Sequence, residues 1–136
     1  VVDHPRIDVV AALIKNSRGD VLLGQRPPGR PMAGFWEFPG GKRNAGERRE
    51  DALARELREE LGIRIVQAES FMQLEHTYPE LHVSLDIWRV STYVGTPKAL
   101  DGQLLRWVAI AELGDTLLLP ADRPIVERLM RGKAID

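Results

Sequence analysis

Three leucines, Leu53, Leu57 and Leu61, recur at every fourth position, and a glycine, Gly62, follows the last of them. At about 100° per residue that spacing lays a narrow apolar stripe along one side of an α-helix. Ala54 stands beside the stripe, and Gly62 supplies the left-handed stop. The same turns carry Glu56, Glu59 and Glu60, which fall within roughly one third of the circumference. Like charges at this spacing cost a few tenths of a kcal/mol per pair, and carboxylates in the last turns oppose the negative end of the helix dipole. Arg55, four residues before Glu59, and Arg58 between the acids offset part of that repulsion. A divalent cation would reverse it, because hard ions such as Mg²⁺ take oxygen ligands and are usually held by a few carboxylates plus substrate phosphates. On the helix alone, a metal site and a charged solvated surface are equally good readings.

The surrounding stretch is more specific. From Gly41 to Ile63 the chain reads GKRNAGERREDALARELREELGI. This resembles the Nudix box: a glycine, five residues, a glutamate, seven residues, then Arg-Glu-apolar-any-Glu-Glu-any-Gly-apolar. The matching residues are Gly41, Glu47, Arg55, Glu56, Leu57, Glu59, Glu60, Gly62 and Ile63, with no position missing. The resemblance to the MutT branch of that family extends over most of the chain. It implies an α/β Nudix fold, a mixed curled β-sheet sandwiched between the box helix and a C-terminal helix, as a single domain over residues 1–136. It also implies a hydrolase of phosphoric anhydride bonds. The expected reaction converts 8-oxo-dGTP, or a related nucleoside triphosphate, to the monophosphate and pyrophosphate with Mg²⁺, or alternatively Mn²⁺, and serves nucleotide-pool sanitation.

Residue by residue, the resemblance makes the carbonyl of Gly40 and the carboxylates of Glu56, Glu59 and Glu60 metal ligands. Glu56 is also the expected general base, Arg55 a positioning residue, and Glu47 a support for the metal site. Asp101 falls in a loop where the family carries a metal-binding glutamate, one methylene longer, and is the fallback base. Arg26 and Lys42 become phosphate or nucleotide contacts. Ile7, Val9, Phe38, Tyr78 and Val83 become the wall around the base. Asp122 stands where the enzymes best known for cleaving 8-oxo-dGTP have an asparagine. An ionised aspartate only accepts hydrogen bonds, which suits the N1–H and amine of a guanine or the amine of a cytosine. Leu119-Pro120-Ala121-Asp122 also resembles the CTP-cleaving members, so a pyrimidine-nucleotide pyrophosphohydrolase is the alternative. A non-catalytic nucleotide-sensing module is a third reading, weakened because such modules usually lose box glutamates that are all present here.

The residues also support plainer roles. Arg26 could be a surface cation and Lys42 an exposed lysine. Glu47 suits a helix N-terminus, Asp101 is a turn aspartate, and Asp122 is a good N-cap with Pro124 behind it. Trp107 reads as core. His4, His76 and His82 lack the spacing of a zinc site.

Taken in order, Ile7 to Ile14 reads as a buried strand, and Val21 to Gln25 as its hairpin partner across a turn at Asn16 to Asp20. Arg26 to Gly34, rich in proline and glycine, is a loop. Beyond the box, strands are expected at Ile63 to Val66, Ser70 to Tyr78, His82 to Val94 and Leu104 to Ile110. A last amphipathic helix spans Arg123 to Arg131. The formal net charge of −1 argues against broad binding to a nucleic-acid polymer, while a free nucleotide needs only a local cation cluster. There is no cysteine for disulfides or thiolate chemistry, and neither a signal sequence nor a membrane-length apolar run is visible. The expectation is a cytoplasmic enzyme acting on a small nucleotide, without membrane contact, as a monomer or weak homodimer.

Overall fold

The computed structural model describes residues 5–135, so His4 lies outside it. The strands are β1 (Arg6–Ile14), β2 (Val21–Gln25), β3 (Trp36–Glu37), β4 (Gly40–Lys42), β5 (Arg64–Tyr78), β6 (Leu81–Val94) and β7 (Leu104–Val108), with helices α1 (Arg49–Leu61) and α2 (Arg123–Ile135). They form two sheets: a mixed four-stranded one ordered β4-β1-β6-β5, and an antiparallel three-stranded one ordered β3-β2-β7.

β1 is the axis of this arrangement. Its run of small and β-branched apolar residues has no wet face, as suits a strand covered on both sides. Ala11 and Leu13 point into one core with Ile125, Val126 and Leu129 of α2. Val10, Ala12 and Ile14 point into a second core with Leu53, Leu57 and Leu61 of α1. The four-stranded sheet is therefore held between the two helices, as expected. β1 pairs in parallel with β6, from Arg6 opposite His82 to Ile14 opposite Val90, and antiparallel with β4.

Four expectations are corrected. β1 and β2 are not a laddered hairpin: apart from an isolated bridge from Lys15 to Val21, β2 pairs with β3 and β7 in the other sheet. The turn itself is as read, with the Asn16 carboxamide oxygen accepting the amides of Arg18 and Asp20. The two strands expected between Ile63 and Tyr78 are one 15-residue strand whose register shifts near Gln67 and Phe71, so β-bulges stand where the alternation breaks. Trp107 is 36% exposed on the edge strand β7 and is not core. Strand β7 is followed by a 3-10 segment, Ile110–Asp115, that replaces the end of the expected strand.

α1 begins one turn after the box glycine and ends on Gly62, whose φ of 71° is the left-handed stop. Its last carbonyls are covered by the loop after β6. Lys98 donates to the Leu61 carbonyl at 2.9 Å, and Leu100 to that of Glu60 at 3.1 Å. This fixes the loop bearing Asp101 to the acidic end of the helix.

Candidate active site

Above the acidic face of α1 crosses the Pro39-Gly40-Gly41 segment. A Cβ on Gly40 would lie 2.0 Å from the Val10 carbonyl oxygen, and one on Gly41 would lie 2.2 Å from Glu56 Oε2. Only glycine lets backbone approach both β1 and the carboxylate this closely. The Gly40 amide donates to Glu60 Oε2 at 3.1 Å. Burial pushes Glu60 up to about 8, and the neighbouring charges of Glu37, Glu56 and Asp101 push the same way against that one amide.

The other acids are tied to arginines. Arg55 donates through Nε to Glu47 Oε2 at 2.8 Å and through Nη1 to Glu56 Oε1 at 2.9 Å and Glu59 Oε2 at 3.3 Å. Through Nη2 it reaches Glu47 Oε1 and the Lys42 carbonyl. It thus ties the box loop to the helix. Glu47 is held down to about 2, chiefly by Arg55 and then by the Asn44 amide it accepts. Glu47 precedes the helix and caps that loop turn, not α1, whose N-cap is Arg48. Asp101, exposed, takes a bidentate grip from Arg30, with Nη1 to Oδ2 at 2.9 Å and Nη2 to Oδ1 at 3.1 Å.

Among the described residues, no three His, Cys, Asp or Glu side chains already converge as a metal site. Glu56 and Glu59 turn toward Arg55 and Asp101 toward Arg30, and among the described residues no cation pairs with Glu60. The donor set still fits a hard divalent ion. It is all oxygen, it includes a carboxyl that burial, helped by the charges of Glu37, Glu56 and Asp101, pushes toward neutrality, and the missing Cβ of Gly41 lets the Glu56 carboxylate sit directly against the turn.

These groups line one end of a cleft of about 990 Å³. The same cleft is lined by the apolar side chains of Ile7, Val9, Val83 and Tyr78, together with the buried Phe38. Tyr78 meets His76 edge-on at 4.5 Å and accepts the Ala121 amide on its hydroxyl. His82 is directed away from the wall, toward Thr77 and Glu75.

Asp122 stands immediately before α2, the place of a cap, but its carboxylate bonds elsewhere. It ends a 3-10 turn, Pro120–Asp122, and its Oδ2 accepts the Phe38 amide at 3.1 Å, 84 residues away in sequence. Only 5% exposed, it is pushed by burial up to about 7. A carboxyl near half-neutral at physiological pH donates as well as accepts, as an asparagine does.

Arg26 lines the cleft with its Nε on Glu37 and its Nη1 on the Pro31 carbonyl at 3.1 Å, so it is braced rather than loose on the surface. Lys42 is exposed at the rim. Sequence reasoning assigned no role to Glu37, Arg30 or Gln103. Glu37, raised by burial, braces Arg26 between the two ends of the cleft. Gln103, 7% exposed, accepts the Asp101 amide and donates to the Glu60 carbonyl. A charged residue between Trp36 and Phe38 was the available signal for Glu37; the partners of Arg30 and Gln103 are too distant in sequence to leave one.

The family model for the NUDIX domain matches residues 10–128. The chain is 37% identical to the 8-oxo-dGTP diphosphatase of Haemophilus influenzae over 129 residues, which is 95% of each chain. It is 40% identical to the CTP pyrophosphohydrolase of Escherichia coli K12 over 128 residues, 94% of each. Among solved structures, the MutT protein from Methanosarcina mazei Go1 superposes with a TM-score of 0.86 at 32% identity, covering 98% of this chain and 99% of that one.

Proposed function

The chain belongs to the Nudix domain family, and within it we propose a divalent-metal-dependent nucleoside triphosphate pyrophosphohydrolase with 8-oxo-dGTP as its preferred substrate. The observation that carries this reading is the single cleft joining the helix acids to an apolar pocket floored by Asp122. A nucleotide is polyanionic at one end and flat and hydrogen-bonding at the other. The cleft lining has both kinds of surface, acidic side chains and apolar ones.

Glu56, Glu59, Glu60 and the Gly40 carbonyl would hold Mg²⁺ or Mn²⁺, with Asp101 completing the set. Such ions neutralise phosphate charge and lower the pKa of water. Glu56 lies directly under the Gly41 backbone and takes the proton of the attacking water; Asp101 is the second choice for that task. Arg55 keeps the Glu56 carboxylate facing the turn and ties it to Glu47. Arg26, braced by Glu37, and Lys42 face the phosphates. Tyr78, Val83, Ile7 and Val9 enclose the base over Phe38, and Asp122 reads its edge.

A neutral Asp122 presents one donor and one acceptor, which the asparagine of the 8-oxo-dGTP enzymes also offers; this supports the purine reading. The similarity to a CTP pyrophosphohydrolase at 40% identity favours CTP as the second reading. Comparing kcat/KM for 8-oxo-dGTP, dGTP and CTP with Mg²⁺ tests both. A lead for CTP would overturn the preference. No pyrophosphate from any nucleotide would overturn the activity. Reaction in ¹⁸O-water should place the label on the monophosphate.

A further inference from the structure

Seven carboxylates line the cleft against three cations, Arg26, Arg30 and Lys42. A triphosphate adds up to about four more negative charges, so each cation that can reach it matters. Arg26 is committed at the floor to Glu37 and Pro31. Arg55, outside the cleft lining, is fully engaged by Glu47, Glu56, Glu59 and the Lys42 carbonyl. Arg30 is different. It projects from the loop between β2 and β3 to the mouth of the cleft, and its guanidinium fork closes on Asp101, 71 residues away.

The two sides of this pair are not equally fixed. The Asp101 amide is held by Gln103, which is buried and anchored on the Glu60 carbonyl. The Arg30 loop is tied at its base, where the Arg26 amide donates to the Phe35 carbonyl and Gly34 to that of Arg26. Its tip carries left-handed residues at Gly29, φ 90°, and Met32, φ 58°. The guanidinium is the partner that can leave. Both side chains are about half exposed, and a pair so open to water is held weakly. A fork that fits two carboxylate oxygens fits two phosphate oxygens by the same geometry.

We propose that Arg30 is a substrate-binding residue: it exchanges the Asp101 carboxylate for the terminal phosphates of a bound nucleoside triphosphate, and the exchange releases Asp101 toward Glu56 and Glu60. This rests on the nucleotide reading above and adds to it a residue outside the box, together with a coupling between phosphate capture and the acidic cluster.

The test is calorimetry on the full chain, with thermal unfolding as a check that each variant is folded. Three ligands are titrated separately: a methylene-bridged dGTP analogue without metal, dGMP without metal, and Mn²⁺ without nucleotide. In Arg30→Ala the analogue should bind about tenfold more weakly, the size expected for a lost charge-assisted contact. Binding of dGMP should stay within about twofold, and Mn²⁺ should bind severalfold more tightly because Asp101 is released. Arg30→Lys should recover only part of the analogue affinity, since it keeps the charge and loses the fork. Asp101→Asn should bind the analogue at least as well as wild type and Mn²⁺ more weakly. Equal weakening of dGMP and the analogue in Arg30→Ala would reduce Arg30 to a structural brace. Unchanged analogue affinity would confine it to pairing with Asp101. Wild-type protein that binds neither nucleotide, whether without metal or with Mn²⁺ added, would remove the nucleotide reading itself, and this inference with it.

Discussion

Replacing Asp122 with asparagine isolates one buried charge. Asp122→Asn keeps the shape and the acceptor for the Phe38 amide, and removes the ionisation. Burial raises the carboxyl from 3.8 to about 7, so the folded state holds a proton that the unfolded chain has already lost. The sign follows from linkage. The stability associated with the protonated acid is complete below pH ~4 and is lost as pH rises through about 7. At 1.36 kcal/mol per unit, a shift of about three units amounts to about 4 kcal/mol once both states are ionised. The variant has no such loss. Urea unfolding of both proteins without nucleotide, at intervals from pH 4.5 to 8.5, should show their difference moving in the variant's favour by about 1.4 kcal/mol per pH unit up to pH ~7 and then levelling. The amide group that asparagine introduces adds a roughly constant offset, of about 1–3 kcal/mol if it finds no partner. The slope therefore carries the test. Parallel stability curves with equal m-values would mean that Asp122 ionises in the folded protein as easily as in water.

The same titration should appear in catalysis. Wild-type kcat/KM for 8-oxo-dGTP should fall relative to Asp122→Asn above pH ~7, where the carboxyl stops donating; a pH-independent ratio would take Asp122 out of base recognition. Glu56→Gln should lower turnover by at least 10² with an unchanged circular dichroism spectrum, because it keeps the shape and loses the charge and basicity; near-normal turnover at saturating Mg²⁺ would remove Glu56 from the mechanism. Gly40→Ala should cost about 3 kcal/mol or more in thermal unfolding, since its Cβ meets the Val10 carbonyl oxygen at 2.0 Å. Gly46→Ala, with nothing within 4 Å, should cost only the strain of its φ of 77°.

Features set by neighbours in sequence were legible. The period of Leu53, Leu57 and Leu61 and the glycine after them define α1, and the apolar run of β1 announces a strand covered on both faces. The fixed spacing of the box singles out Glu56 and Glu60, which the structure sets against the Gly40-Gly41 turn. Features set by distant partners were not. Val21 follows a good turn, yet its strand leaves for another sheet because its inner residues fill both cores at once, Val21 and Leu23 in one and Leu22 in the other. Asp122 has the local chemistry of a cap, but the Phe38 amide takes its carboxylate. Glu47 likewise suits a helix start and instead serves a loop, because Arg55 reaches back to it. Composition cannot tell an aspartate in a turn from one gripped by Arg30.

The parallel pairing of β1 with β6 has a consequence for biosynthesis. Strand β1, interior in its sheet, is made well before its long parallel partner, which begins only at Leu81. During synthesis at about 5–20 residues per second, an apolar segment leaves the ribosome several seconds before the surface that will shelter it exists. For that interval β1 is a sticky ribbon with only the three-residue β4 to pair with. The vulnerability of this protein to aggregation therefore peaks in the nascent chain and narrows as β6 emerges, while the face of β1 that carries Ala11 and Leu13 stays bare until the last helix arrives.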